Sequence, residues 1–175
     1  DVKSLLNIYS YYVKNTAITF EYTVPTEVDF SHRIEETCIT HPWIVAELNG
    51  NLVGYAYAHQ VKDRAAYAWT VENSVYVHNE HKRAGIGSLL YRELESLLVK
   101  QHVRNCTACI ACSRRLDPKL PSTSLSFHER MGYKPIGIMH NCGYKFATWY
   151  DVCWMEKEIN PSDPVLPFIP FPSLP

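Results

Sequence analysis

The segment HKRAGIGSLLYRELESLL, residues 81–98, carries the residue types that bind an anion. Gly85 and Gly87 lie directly before an amphipathic helical pattern, and Lys82 and Arg83 precede them. Glycines let the backbone approach a ligand closely, and the first turn of a helix leaves N–H groups free to donate to it. The helix dipole favours negative charge at the same place. The segment alone predicts only that an anion binds here.

Three interpretations of this glycine loop compete. A Walker loop requires G-x-x-x-x-G-K-[ST], and it is excluded because Gly87 is followed by Ser88 without a lysine. A dinucleotide fingerprint requires a third glycine where this chain has Leu90, and it opens the first βαβ unit, whereas this loop lies mid-chain. A simple glycine turn without a ligand remains open on the GxG alone.

Six cysteines raise the question of a metal site or a disulfide framework. The tightest group is C-x-x-C-x-x-C at Cys106, Cys109 and Cys112, within a segment that we interpret as a buried strand. Positions three apart on a strand point to opposite faces, so Cys106 and Cys109 do not converge on one ion. Zinc requires convergent ligands. We therefore expect no metal, and reduced thiols in a cytoplasmic protein.

The spacing of apolar residues predicts the elements that position these groups. Helices are predicted over 1–14, 27–39 and 86–100, with a shorter one from Ser124 to Met131 that ends before Gly132. Strands are predicted at 42–48 and 51–60 around the tight turn Asn49-Gly50, and at 66–78, 105–112, 133–139 and 148–159. The apolar face of helix 86–100 is predicted to carry Ile86, Leu89, Leu90, Leu94, Leu97 and Leu98, and the polar face Arg92, Glu93, Glu95 and Ser96. This order predicts an α/β fold with a mixed sheet and a parallel pair bridged by helix 86–100.

Length and composition restrict the class of protein. The 175 residues fit one domain with a hydrophobic core of its own. A formal net charge of -1 argues against a general polyanion binder, so we expect no nucleic acid partner. No apolar run of about 18 residues occurs, so we expect no membrane partner. The segment 160–175 holds six of the eleven prolines, and we expect it to be extended and to lie over an apolar surface.

The run S-V-Y-V-x-x-x-x-K-x-x-G-x-G resembles motif A of the GNAT superfamily of acetyl-CoA-dependent N-acetyltransferases. Further blocks resemble its phosphinothricin N-acetyltransferase family, which also acetylates methionine sulfoximine and methionine sulfone. These blocks are ITFEYT, PWIVAELNGNLVGYAYA, AYAWTVENSVYV, HKRAGIGSLLY, LSFHERMGYKPIG and GYKFATWYDVCW. The resemblance implies a GNAT fold, with a mixed central sheet, a splayed parallel pair and flanking helices. It implies an acetyltransferase domain over 1–159 that lacks the family's first strand, followed by the Pro-rich tail.

The resemblance assigns the glycine loop to the pyrophosphate of coenzyme A. The matching residues are Lys82, Arg83, Ala84, Gly85, Ile86, Gly87 and Ser88, with Lys82 where the family usually has Gln or Arg. Val75, Tyr76 and Val77 match the strand that hydrogen-bonds the pantetheine arm through main-chain groups. This fits the physical expectation, since an open backbone ladder pairs with an amide-bearing ligand as it does with a peptide. Acetyl-CoA is therefore the expected cosubstrate.

The resemblance also places two catalytic residues. Glu72 matches the family's TVE and is the expected base, since only the neutral amine attacks a thioester. Among Trp69, Val71 and Val75 its carboxylate would be partly desolvated, which raises its pKa. His128 stands where many GNAT enzymes carry a tyrosine suspected of protonating the thiolate. An exposed strand glutamate and a structural helix histidine are the respective alternatives.

Phe20, Lys62, Arg64 and Tyr67 match the substrate-recognising positions of the family. A cation there makes physical sense, because Arg binds a carboxylate or phosphinate through paired N–H donors. An ordinary polar loop is the alternative for Lys62 and Arg64. The expected reaction is direct acetyl transfer, in a ternary complex, to the α-amino group of a small amino acid or analogue.

Two positions depart from the family pattern. Pro121 takes the place of an Asn that contacts the cofactor, which leaves Ser122 or Ser124 to substitute. Phe146 and Tyr150 stand where members that handle phosphinothricin well have histidines, which indicates a different preferred amine.

Other functions remain open at this point. A polyamine, an aminoglycoside or a protein N-terminus is an alternative acceptor, although a near-neutral protein argues mildly against polycationic ones. A module that binds acetyl-CoA without turnover is the alternative from another class. The family further implies a homodimer, and we hypothesise that the apolar tail lies across the partner subunit.

Overall fold

The computed structural model describes residues 1–121, 123–161 and 163–175. Ser122, one of the two candidate substitutes for the cofactor-binding Asn, lies outside the described residues. The helices are α1 (Val2–Asn15), α2 (Glu27–Thr40), α3 (Ile86–Lys100) and α4 (Thr123–Arg130). The strands are β1 (Trp43–Leu48), β2 (Asn51–Gln60), β3 (Thr70–Val77), β4 (Asn105–Cys112), β5 (Lys134–Lys145) and β6 (Thr148–Glu158).

The strands form one mixed sheet in the order β1-β2-β3-β4-β6-β5. All neighbouring strands are antiparallel except β3 and β4, which are parallel and are connected by α3. The parallel pairing covers only Thr70–Glu72 against Asn105–Thr107, and the strands part beyond it. The predicted α/β fold with a splayed parallel pair is therefore confirmed. The opening between β3 and β4 is the feature that the rest of the site surrounds.

Helices cover both faces of the sheet. On one face, α3 packs Leu90, Leu94 and Leu98 against small and apolar strand residues such as Val71 and Ala108. On the other face, α1 and α2 bury a tyrosine-rich cluster against β2 and β3, including Tyr9, Tyr12, Phe30, Tyr55 and Tyr76. Each buried large apolar side chain contributes about 1.5–3 kcal/mol, so these two layers hold β3 rigidly at its paired end.

The hairpin turn and α3 follow the sequence prediction closely. Asn49 and Gly50 have φ values of 52° and 79°, as a tight hairpin turn with two left-handed residues requires. Helix α3 has the predicted bounds, but its predicted faces are partly wrong. Leu89 is 66 % exposed, whereas Glu95 is buried and accepts a hydrogen bond of 2.5 Å from Lys157 Nζ. Leu90 and Leu94 face the sheet because they are four residues apart on the helix. In this orientation, Glu95 lies beside β6 and Leu89 points to solvent.

The strand predicted at 66–78 begins only at Thr70. Ala65–Tyr67 forms a 3₁₀ turn, in which Tyr67 N–H donates to the Arg64 carbonyl at 2.9 Å and Ala68 N–H to the Ala65 carbonyl at 3.1 Å. These local bonds satisfy backbone groups that a longer strand would have presented to a neighbour. The strand predicted at 133–139 instead continues to Lys145, with an irregular register between Met139 and Gly143.

The Pro-rich tail lies along its own chain. Trp69 Nε1 donates to the Leu166 carbonyl at 2.8 Å, and Gln101 Nε2 to the Ile169 carbonyl at 2.8 Å. Phe168 packs against the core, with its ring centroid 5.2 Å from that of His41. The hypothesis that the tail lies across a partner subunit has no support in these contacts.

All six cysteines carry free thiols. Cys106 is buried and Cys109 exposed, as their opposite strand faces require. Within residues 1–121, 123–161 and 163–175, no group of three or more His, Cys, Asp or Glu side chains is placed to hold a metal ion. Over the same ranges, none of the helices combines the length and apolarity that crossing a membrane requires.

Candidate active site

The N-terminus of α3 is open to a ligand. Its cap residue is Gly85, in the left-handed region at φ 81° and with no side-chain hydrogen bond to the helix. The N–H groups of the first turn, at Ile86, Gly87 and Ser88, therefore have no side-chain oxygen of the cap residue in front of them. A Cβ added at Gly87 would lie 3.4 Å from the Phe127 ring, so the turn packs closely on α4. The predicted anion loop has the required backbone geometry.

The two basic residues of the loop have different surroundings. Lys82 Nζ lies over the rings of Tyr11 and Tyr12, 4.9 and 5.0 Å from their centroids, and burial lowers its pKa. This contact ties the loop to α1, since a cation over an aromatic face is worth about 0.5–1 kcal/mol. Arg83 is exposed at φ 66°, and Ala84 is exposed beside it. Arg83 therefore has the freer guanidinium for an anion at the helix N-terminus.

Main-chain groups of β3 face the opening between β3 and β4. The N–H group of His78 donates to the Val53 carbonyl of β2. Along a strand, successive residues point their N–H and C=O groups to opposite edges. Tyr76 therefore turns its main-chain groups to β2, whereas Val75 and Val77 turn theirs to the opening. The Val77 carbonyl already accepts a hydrogen bond of 2.5 Å from the Tyr12 hydroxyl. Of the three predicted pantetheine contacts, Val75 is thus the best placed, and Tyr76 contributes a ring packed against Tyr9 and Tyr12.

A buried hydrogen-bond network closes the inner end of this opening. The Tyr91 hydroxyl lies 2.8 Å from His128 Nε2 and 3.3 Å from the Asn73 carbonyl, and Asn73 Nδ2 donates to the Tyr133 hydroxyl at 3.0 Å. His128 Nδ1 lies 2.8 Å from the Ser124 carbonyl, which only accepts, so Nδ1 carries the ring N–H proton. The single Tyr91 hydroxyl proton then goes to Nε2, the nearer of its two acceptors, with the Asn73 carbonyl as the more distant one. Burial lowers the pKa of His128, which favours this neutral form.

Glu72 is the last residue of β3 that pairs with β4, where it lies opposite Thr107. Its side chain is half-buried, and burial raises the pKa of its carboxyl while the neighbouring His59 lowers it. Because side chains alternate along a strand, Glu72 shares the α1/α2 face with Ser74 and Tyr76. The Cys109 thiol on β4 lies near it, and although the residue is exposed, partial loss of hydration around its sulfur together with the Glu72 charge raises the pKa of that thiol to about 12. A partly desolvated carboxylate thus lies where the two strands begin to part.

The predicted substrate residues fall into two places. Lys62, Arg64 and Tyr67 are exposed in the loop between β2 and β3, where Gln60 Nε2 donates to the Lys62 and Arg64 carbonyls. Phe20 lies across the site in the loop after α1, packed on Gly143 and 6.1 Å from the Tyr150 ring. The first three therefore belong to the loop that leads into β3 and Glu72, whereas Phe20 packs on residues of β5 and β6.

Lys145 and Tyr91 also belong to the surroundings of the site, and the sequence did not predict either of them. Lys145 is buried, and its Nζ donates to the carbonyls of Thr16 and Thr19 at 2.9 and 2.7 Å, which fixes the loop that carries Phe20. Tyr91 is fully buried in helix α3. In the sequence, Lys145 is visible only as the lysine of the GYK block, and Tyr91 only as a tyrosine within the α3 helix. Neither position shows by itself which residues the side chain contacts.

Comparison with known proteins decides the family. The model of the acetyltransferase (GNAT) domain matches residues 1–154. The chain belongs to the GNAT acetyltransferases. It is 33 % identical to the phosphinothricin N-acetyltransferase of Streptomyces viridochromogenes over 97 % of this chain and 89 % of that protein. It is 27 % identical to the L-methionine sulfoximine/L-methionine sulfone acetyltransferase of Salmonella typhimurium, covering 91 % of this chain and 90 % of the other.

A solved structure agrees with this placement. The phosphinothricin acetyltransferase of Sinorhizobium meliloti, crystallised in complex with acetyl-CoA, superposes with a TM-score of 0.82 at 28 % identity, over 97 % of this chain and 92 % of that chain. The protein is therefore an N-acetyltransferase that uses acetyl-CoA. The residues of this GNAT enzyme fit that cosubstrate, since an uncapped helix N-terminus suits the pyrophosphate and the open main chain of β3 suits an amide-bearing arm.

Gly85 offers a test of the loop geometry. Replacing Gly85 by Ala is expected to lower the free energy of unfolding by about 1–2 kcal/mol, because a Cβ is disfavoured in the left-handed region. Gly85→Asn is the matched control and should lose less, since Asn tolerates that region. Urea unfolding measures both variants. Equal stability of Gly85→Ala and the unmodified protein would show that this backbone conformation is not required.

Proposed function

We propose that the enzyme transfers the acetyl group of acetyl-CoA to the α-amino group of a small amino acid or analogue, in a ternary complex. The observation that carries this proposal is the half-buried Glu72 at the point where β3 and β4 part. The names of the relatives, which act on phosphinothricin and on methionine sulfoximine or sulfone, support an amino-acid-like acceptor.

Acetyl-CoA supplies the activated thioester when it is bound. The α3 N-terminus, with Arg83 and Lys82, holds the anionic end of the cosubstrate, and the open main-chain groups of Val75, with the N–H of Val77, orient its arm. Glu72, ionised above its raised pKa, takes the proton that the acceptor ammonium must lose before attack. As the new C–N bond forms, the C–S bond of the thioester would break, and the leaving thiolate would take a proton from solvent. Lys62 and Arg64 are the proposed partners of the acceptor carboxylate, with Tyr67 and Phe20 on either side.

We assign His128 a positioning role through Tyr91. The neutral imidazole of His128 has one N–H group, at Nδ1, which donates to the Ser124 carbonyl, and its Nε2 accepts from the Tyr91 hydroxyl. Donation to a leaving thiolate would first require protonation, which burial opposes. The sequence-based role of proton donor stays a competing prediction that the pH profile separates from this one.

The pH dependence of kcat tests this role. A donor must be protonated, and the pKa of His128 is lowered from its usual value, so donation would make kcat fall with rising pH from below about 6.5. We expect no falling limb of this kind, and we expect His128→Asn to reduce kcat without changing the shape of the profile. Tyr91→Phe, which removes only the hydroxyl, is the matched variant and should reproduce the loss. A falling limb that disappears in His128→Asn would restore the donor role.

The cellular setting is also a proposal. The exposed free thiols of Cys109 and Cys142 favour a reducing, cytoplasmic environment. Exposed apolar residues on β5, including Ile136, Ile138 and Met139, support the homodimer that the family resemblance implies.

Thiol release from acetyl-CoA with a panel of amines tests the proposed function. Turnover with methionine sulfone or another small amino acid, and little with polyamines, aminoglycosides or N-terminal peptides, is the expected result. Turnover confined to one of those other acceptors would replace the proposal. Tight acetyl-CoA binding without turnover on any amine would favour the binding-module alternative.

A further inference from the structure

A cleft of about 380 Å³ opens on the α1/α2 face of the sheet, and the reaction as described above does not use it. Its volume lies in the range of about 300–1,000 Å³ that small-molecule sites occupy. The residues that matter for its chemistry are Glu21, Arg33, Glu36, Trp43, Tyr57 and His59. They come from the loop after α1, from α2 and from the β1–β2 hairpin.

The cleft lies next to Glu72 through its β2 wall. His59 is directly opposite Glu72 in the β2–β3 register, and Tyr57 is opposite Ser74. Directly opposed residues have Cβ atoms about 4.5–5.5 Å apart on the same face. Burial raises the pKa of Tyr57, and the charge of Glu72 raises it further, so the two side chains interact electrostatically. A molecule whose amine lies at Glu72 can extend past His59 and Tyr57 into the cleft.

The wall of the cleft is built from flat rings. Trp43 and Tyr57 are stacked with centroids 4.2 Å apart and planes inclined by 6°. His59 continues the row, 6.3 Å from Tyr57 with an inclination of 32°. Such a row suits a planar group that stacks on, or contacts the edges of, aromatic rings.

The charge in the cleft favours a cation. Two carboxylates, Glu21 and Glu36, face one guanidinium, that of Arg33. Arg33 is already paired with Glu21 at 2.6 Å. The exposed Glu36 carboxylate contacts only a histidine among the ion pairs of the described residues, His32 Nδ1 at 3.3 Å, so with neutral histidines it carries the excess negative charge of the cleft. An anionic end such as a phosphinate would approach these carboxylates unfavourably.

Resting on the proposed function, we propose that this cleft receives the acceptor side chain and selects a flat cationic end of the guanidinium type. An arginine-like acceptor then places its α-amine at Glu72, lies along the edges of the Tyr57 and Trp43 rings, and directs its N–H donors to Glu36.

The test compares arginine with citrulline, its neutral isostere, with methionine sulfone as the reference acceptor. We expect kcat/KM for arginine to exceed that for citrulline by at least about tenfold, as hydrogen-bonding sites commonly discriminate. Glu36→Gln should reduce this ratio by at least about threefold, in keeping with an exposed charge pair. Glu35→Gln, an exposed neighbour that does not line the cleft, should leave the ratio unchanged.

Two outcomes separate this inference from the proposed function. If methionine sulfone is acetylated and arginine is no better than citrulline, the cleft assignment is overturned and the proposed function stands. If no amine is acetylated, the proposed function fails, and calorimetric titration then decides on the cleft. Arginine binding more tightly than citrulline, with the difference reduced in Glu36→Gln, supports the cleft, and equal affinities overturn it.

Discussion

Replacing Glu72 by Gln is expected to lower kcat/KM by roughly 10²–10⁴-fold near neutral pH, the usual contribution of a positioned base. The change removes the proton acceptor while keeping the size and most of the hydrogen-bonding capacity of the side chain. Because the amide remains polar and the position is only half-buried, folding should be preserved. Steady-state thiol release, with the acetyl-CoA dissociation constant measured separately, distinguishes lost chemistry from lost binding.

The same role of Glu72 predicts how activity changes with pH. Burial raises the pKa of the Glu72 carboxyl, and only the ionised form accepts a proton. Activity of the unmodified enzyme should therefore fall as pH decreases through the raised pKa, starting at a higher pH than for an exposed glutamate. That limb should be absent from Glu72→Gln. Glu47→Gln, an exposed glutamate on β1, is the matched control and should keep full activity. Unchanged turnover in Glu72→Gln would exclude the residue as the base.

Features that depend on neighbouring residues were predictable from the sequence. The apolar repeat of α3 and the glycines before it are local, and they predicted the bounds of the helix correctly. The Asn49-Gly50 turn is equally local. The splayed pair followed from the family resemblance, since no pattern in β3 or β4 alone shows where two strands separate.

Contacts between distant segments were not predictable in the same way. Tyr91 and His128 are 37 residues apart, and Lys145 reaches Thr16 across 129 residues. Each residue reads as an ordinary helix or strand position until the topology is known. The cleft is harder still, because its walls come from three segments whose charges matter only once they face each other. A family resemblance assigns roles to single residues, whereas the shape and charge of a pocket depend on how several residues are arranged in space.

Removing residues 164–175 is expected to lower the free energy of unfolding by about 3 kcal/mol, from the partly buried Phe168 and the hydrogen bonds at Trp69 and Gln101. Gln101 is fully buried, so the loss of the Ile169 carbonyl leaves a buried donor with fewer partners. For a chain of this size, that change corresponds to a melting temperature lower by roughly 6–12 °C. Thermal unfolding followed by circular dichroism measures the shift.

Point variants separate this intrachain role from the alternative at a partner subunit. Phe168→Ala should reproduce about half of the loss, and Val165→Ala, which changes an exposed tail residue, should have little effect. If the tail acts within its own chain, the mass from size-exclusion chromatography stays unchanged, whereas a tail across the partner would lower the mass when it is removed. Because Trp69 lies three residues before Glu72 and bonds the tail, the truncated enzyme should also show a raised KM for the acceptor. An unchanged melting temperature would contradict the intrachain contacts, and a raised KM with unchanged acetyl-CoA binding would show that the tail positions the acceptor side of the site.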